Sequence, residues 1–318
     1  MIGRRDILTG AAASGALVAA AGRAMAGDAM TVMLDWLLDA NHAALFAAQQ
    51  CGAFARAGLT VQLIAPADPD SPCRLVAAGQ ADLAISYGTQ INMIVDAGLK
   101  LVRVATLIDT PLNTVMALGG SGIATLADLK GRKVGISVGG VEEALLDAML
   151  HSAGLAPADV TLVKVNYDMV TALLSGQLNA AIGAFRNAEV LQVRQMGQTP
   201  VVFLPEDHGV PLYDELILVA RQDRLSDPKL RRFMAALQDG TAALAKAPDA
   251  MWQAFAQAHT ELATRLNEAS WHATIPAIAA NPTKLDGPRY LRFQSFALQQ
   301  GIITKQLPLN TFAVDITA

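Results

Sequence analysis

Two separate stretches of this sequence, AAGQADLAISYG (77–88) and LSGQLNAAIGAF (174–185), each carry Gly-Gln, an Asp or Asn two residues on, and then an apolar strand. Their flanks agree as well. TVMLDW (31–36), a helix over about 41–51, Gly58-Leu59 and TVQLIAP (60–66) parallel KVGISVGG (133–140), a helix over about 142–152, Gly154-Leu155 and VTLVKVN (160–166). Each copy reads strand, helix, strand, helix, strand, the order of a parallel sheet with helices on its faces. A chain of 318 residues also exceeds what one hydrophobic core organises, so the duplication predicts an α/β protein of two lobes, each a mostly parallel sheet flanked by helices. Asn41 is placed to cap the first helix and Gly52 to close it.

Two further apolar strands, 113–118 and 215–220, are each set off by turn-rich sequence and are expected to cross between the lobes. The expected organisation is a first lobe beginning over 27–116, a second lobe over 117–217, and a return to the first lobe with C-terminal helices over 218–318. Residues 1–26 read as an address. Arg4-Arg5 precede a mildly apolar run from Ile7 to Ala21, and Ala24-Met25-Ala26 supplies a small-residue cleavage pattern, which predicts a twin-arginine signal peptide and a periplasmic mature protein. A membrane anchor would need about 20 strongly apolar residues, and Gly10, Ser14 and Gly15 interrupt this run.

A formal charge of −4 leaves no basic footprint for nucleic acid, and a composition 53% hydrophobic and 16% charged argues against disorder. Cys51 and Cys73 would both reach an oxidising compartment, but spacing alone does not say whether they pair. The five histidines are scattered without ligand spacing, two cysteines without His pairs make no zinc site, and neither a phosphate loop nor a nucleophile elbow occurs. No catalytic residue, metal or cofactor is expected. Gly139-Gly140 would offer amides to an anion, but Glu142 and Glu143 beside them would repel it.

Ligands of open parallel sheets lie beyond the carboxyl ends of the strands. Trp36 sits where the first strand ends, and Tyr87, Asn166-Tyr167 and Phe185-Arg186-Asn187 with Glu189 end others, so two rows of side chains would face each other across a gap. Trp36 and Tyr87 offer faces for a planar ring, Glu189 and Glu215 accept from amino groups or a protonated ring nitrogen, and Asn113 and Asn187 both donate and accept. His42, one position past the proposed cap, is placed to touch either the ligand or the cap. Trp252 and Trp271 fall in the C-terminal helices, where packing is the expected role.

LDW with a His six positions after the Trp, VAAGQADLAISY, TPLNTVMAL, ADLKGRKVG, EALL, GAFRNAE and DHGVPLYDEL, in this order, resemble ThiY-type solute-binding proteins. That family serves ABC importers of thiamine pyrimidine precursors and is related to sulfonate-binding proteins and to the yeast enzyme that makes the thiamine pyrimidine. The resemblance implies a type II periplasmic binding protein that closes on a small pyrimidine by hinge motion and delivers it to an inner-membrane permease, working as a monomer. It also implies that Trp36 and Tyr87 stack on the pyrimidine and that Asn113, Asn187, Glu189 and Glu215 sit at or near the cleft. The chain departs from the pattern at Leu38-Asp39, Arg186 and Ala188, and Arg186 would favour an acidic substituent, such as that of an alkylsulfonate. The enzyme branch uses a cysteine-rich segment, a pyridoxal cofactor and an intracellular setting; this chain has no cysteine cluster and carries the export pattern.

Overall fold

The structure, a computed structural model, describes residues 27–316; the expected signal peptide lies outside the described residues. Among the described residues, ten strands form two five-stranded sheets. In chain order they are β1 (Asp28–Met33), β2 (Leu59–Ile64), β3 (Leu83–Tyr87), β4 (Leu101–Ile108), β5 (Asn113–Leu118), β6 (Lys133–Ile136), β7 (Thr161–Lys164), β8 (Ala180–Phe185), β9 (Pro200–Phe203) and β10 (Leu216–Arg221). The first sheet has the order β2-β1-β3-β10-β4 and the second β7-β6-β8-β5-β9, so the sequence repeat becomes the same strand order twice. Within each sheet the first three strands pair in parallel, and β10 or β5 runs antiparallel between its neighbours. Each half of the chain thus lends its last strand to the other half's sheet. The boundaries drawn from sequence, 116/117 and 217/218, fall inside β5 and β10, whereas hydrogen bonding keeps each strand whole in one sheet and puts the crossings before them.

The helices are α1 (Ala43–Gln50), α2 (Ala53–Arg56), α3 (Pro72–Ala77), α4 (Gln90–Asp96), α5 (Val141–Ser152), α6 (Met169–Leu174), α7 (Glu189–Gln195), α8 (Pro228–Lys246), α9 (Pro248–Ala258), α10 (Arg265–Thr274) and α11 (Gly287–Gln299). Asp39, not Asn41, caps the turn that leads into α1: its Oδ1 accepts from the Asn41 amide at 2.8 Å. The cap lies two residues before the one expected from sequence, because a short turn, Ala40–His42, precedes α1. Gly52 follows α1 at φ +71°.

Long apolar helices close the first lobe. α8 lies so near α1 that a Cβ on Gly240 would sit 2.6 Å from the Ala48 amide nitrogen, an approach only glycine permits. Trp252 and Trp271 meet in the same core as packing residues, their ring centroids 5.8 Å apart and planes tilted by 52°, and the Trp271 indole donates to the Pro248 carbonyl at 3.1 Å. Expected with the first lobe, α11 instead bridges both: Tyr290 joins a cluster with Met33, Ile217 and Phe312, while Phe293, Phe296 and Ala297 join the core of the second sheet. Its apolar stripe is wide enough to serve two cores because the chain passes over the junction of the lobes. Cys51 and Cys73 are both free thiols.

Candidate functional site

The two sheets point their ligand-side ends at one cleft, which encloses a cavity of about 180 Å³. Trp36, Tyr87, Asn113, Glu189 and Glu215 of the sequence-derived set all line it, together with Asp35, Asp39, Asn41, Glu142 and Tyr167. His42 and Asn187 do not line it.

His42 is buried behind the wall. The Asp39 amide donates to its Nδ1 at 3.1 Å, which puts the ring proton on Nε2, 3.0 Å from Asp35 Oδ1. Burial works to lower the His42 pKa, but the carboxylates of Asp39 and Asp35 outweigh it and raise the pKa. Asp35 in turn accepts from the Tyr87 hydroxyl at 3.2 Å. His42 therefore positions Asp35 and the Asp39 turn. Substituting His42→Phe preserves the ring volume and removes both polar contacts; ligand affinity measured by calorimetry is expected to fall roughly tenfold, the worth of one hydrogen bond to a charged group. Unchanged affinity would show that Asp35 needs no such support.

Asn187 fastens the lobes. Its Nδ2 lies 2.8 Å from Asn41 Oδ1 in the first lobe and 2.6 Å from Thr274 Oγ1 at the end of α10. On the opposite rim, Asp70 pairs with Lys164 at 2.6 Å and accepts from the Gly139 amide at 2.9 Å, and the Tyr167 hydroxyl donates to the Pro66 carbonyl at 2.8 Å. These contacts join residues of different lobes, so the cleft is closed. Trp36 and Tyr167 meet across it with ring centroids 4.4 Å apart and planes tilted by 58°. Tyr167 was legible as a strand-end residue; its partnership with Trp36 arises only when the lobes close.

Carboxylates dominate the polar lining. Glu215 Oε2 accepts from the Leu112 and Asn113 amides at 2.5 and 2.9 Å, Glu142 Oε2 from the Ser137 amide at 2.6 Å, and Glu189 Oε2 from the Phe185 amide at 2.8 Å. Burial pushes Glu142 up to about 8 and Glu189 and Glu215 up to about 7, against the pull of those amides. Burial likewise raises Asp39. Among the described residues lining the cavity, none is Lys or Arg. Arg186, expected to attract an acidic substituent, pairs with Glu206 at 2.8 and 3.1 Å instead and lies outside the cavity. A bulky guanidinium at that strand end finds its carboxylate on the neighbouring turn before it can reach the cleft.

A family model described as NMT1/THI5 like matches residues 39–251. The chain belongs to this family. The chain is 47% identical over 290 residues to a putative thiamine biosynthesis protein of Haemophilus influenzae, covering 91% of this chain and 92% of that one. It is 35% identical over 195 residues to a formylaminopyrimidine-binding protein of Halalkalibacterium halodurans, covering 61% and 59% of the two chains. More distant NMT1/THI5-like relatives include a 4-amino-5-hydroxymethyl-2-methylpyrimidine phosphate synthase of Legionella pneumophila, 24% identical over 81% of this chain and 82% of that one. In fold the chain is similar to the alkanesulfonate-binding protein of Xanthomonas axonopodis, solved with MOPS, at a TM-score of 0.72 and 16% identity over 90% and 98% of the two chains. That likeness establishes the two-lobed α/β architecture of this NMT1/THI5-like chain.

Proposed function

We propose that this protein is the exported substrate-binding component of an ABC importer, a monomer that captures a hydroxymethyl- or formylamino-pyrimidine between its lobes and passes it to a permease. The observation that carries the reading is the pairing of aromatic faces with carboxylates in one closed cleft: Trp36, Tyr87 and Tyr167 beside Asp35, Glu189 and Glu215. A flat ring in the cavity stacks against these aromatic faces, and its amino group and ring nitrogens meet acceptors and acids. Closure stabilises the complex because both walls touch the ligand only when the lobes meet. The relative named for formylaminopyrimidine binding supports this ligand class, and the Arg4-Arg5 pattern supports export to the periplasm.

A sulfonate fits this reading poorly, since its charge would face acids without a cation in the lining. The synthase relatives keep an enzyme as the second reading. An absorbance scan of the purified protein for bound pyridoxal phosphate separates the two. The receptor reading predicts heat and a thermal upshift on titrating the mature protein with 4-amino-5-hydroxymethyl-2-methylpyrimidine or its formylamino counterpart. No response to any member of an aminopyrimidine panel would reject it.

A further inference from the structure

Three of the cavity carboxylates form a row set by the sheet. β6, β8 and β5 are consecutive neighbours in the second sheet. Glu142 is fastened to the amide just beyond β6, Glu189 to the last amide of β8, and Glu215 to the first amide of β5. Neighbouring strands lie about 4.8 Å apart, so the row runs roughly 10 Å along the cavity edge of the sheet. Two of the three follow one rule: a Glu in the first turn of the helix after a strand reaches back to that strand's end. Glu215 reaches the row from the residue just before β10, the antiparallel strand of the other lobe.

The charged groups around the row do not neutralise it. Lys164 and Asp70 both act on Glu142, but they pair with each other at the rim. Tyr87 faces it from the first lobe with its hydroxyl given to Asp35. Asp39 faces Glu189 with like charge. Glu215 is faced by Tyr213 and by Arg186, whose guanidinium is already held by Glu206. Buried, and with no Lys or Arg among the described residues of the cavity lining, these three acids are held toward their protonated forms.

We propose that this row makes the protein a receptor for the unphosphorylated ring base alone, bound together with a proton shared between ring and row. The inference rests on the receptor reading above and deepens it. A row that mixes acid and carboxylate presents a donor beside an acceptor, the complement of a ring nitrogen beside an amino group. The proton passes from a carboxyl oxygen to the ring nitrogen lone pair, leaving a carboxylate paired with the protonated ring; no other bond changes. While the row holds its protons, up to about neutral pH, binding draws none from solvent. Above about pH 8 the row is ionised, so binding must take up a proton and affinity falls by up to about tenfold per pH unit for one proton. A phosphate ester would bring an anion against the same acids.

The test is calorimetric titration with 4-amino-5-hydroxymethyl-2-methylpyrimidine and with its monophosphate, at about pH 6 and about pH 9, each in two buffers of different ionisation enthalpy. Circular dichroism confirms that the fold persists at the higher pH. The expected result is base binding that weakens about tenfold or more at the higher pH, with buffer-dependent heat only there, and a monophosphate at least about a hundredfold weaker throughout. Glu142→Gln still accepts from Ser137 but removes the member of the row that keeps its proton to the highest pH, so its alkaline loss is expected to begin at lower pH and to be larger at about pH 9. A pH-independent affinity, tighter binding at the higher pH as a fixed cation would show, an equal affinity for the monophosphate, or an unchanged alkaline loss in Glu142→Gln would each overturn the proposal. If the base binds at neither pH, the receptor reading itself fails, and the proposal with it.

Discussion

Replacing Trp36 by alanine is expected to weaken pyrimidine binding by about 2–3 kcal/mol, roughly 30- to 150-fold in Kd. The indole serves twice. It supplies one wall of the cavity, and it meets Tyr167 of the other lobe at 4.4 Å, so its loss removes both a ligand face and a contact that exists only on closure. The fold should not suffer, because Trp36 is half-buried in the bend after β1 and belongs to none of the hydrophobic clusters. Calorimetry gives the affinity, and unfolding of the unliganded protein should match that of the unsubstituted chain. An unaltered Kd would remove Trp36 from the site.

The substitution Gly183→Ala is expected to damage stability and site together. Gly183 is the extra residue of a bulge in β8: Thr114 pairs with Ala184 and Val115 with Ile182, and Gly183 lies between them at φ +94°. Freed from the ladder, its amide donates to Asn113 Oδ1 at 3.1 Å. The space a side chain would take is filled by Glu142, whose carboxyl carbon would be 2.7 Å from an added Cβ. Backbone strain at positive φ and the displaced buried acid together should cost about 2–4 kcal/mol, read from the shift in denaturant midpoint. Because Asn113 and Glu142 both line the cavity, affinity should drop at least about tenfold as well. A variant that unfolds and binds like the parent would mean that the bulge relaxes freely and that Glu142 tolerates displacement.

Much of this arrangement was legible in the residues. The Gly-Gln-x-Asp/Asn repeats showed two copies of one strand-helix plan, while the order of the strands in each sheet emerged only from the tertiary structure. Trp36, Tyr87 and Glu189 followed from the rule that ligands lie beyond strand ends, Asn113 and Glu215 from their polar chemistry and the family resemblance, and all five line a single cavity. His42, read as touching either the ligand or the helix cap, and Asn187, read at a strand end, lie one layer back, holding Asp35 and joining the lobes. The difference is a side-chain rotation, which spacing along the chain does not encode. Glu142 went the other way: beside Gly139-Gly140 it read only as a charge that would repel an anion, and the structure makes it part of the cavity wall.

The sequence by itself determined the two-lobed α/β plan and the chemistry gathered at the strand ends, because periodicity and turn residues act locally and recur in both copies. Only the tertiary structure decided that Glu142, Glu189 and Glu215 stand in a row, that Arg186 is spent on Glu206, and that α11 serves both cores. Those outcomes depend on which strands become neighbours and on contacts between residues far apart in the chain, where burial holds the cavity acids toward their protonated forms.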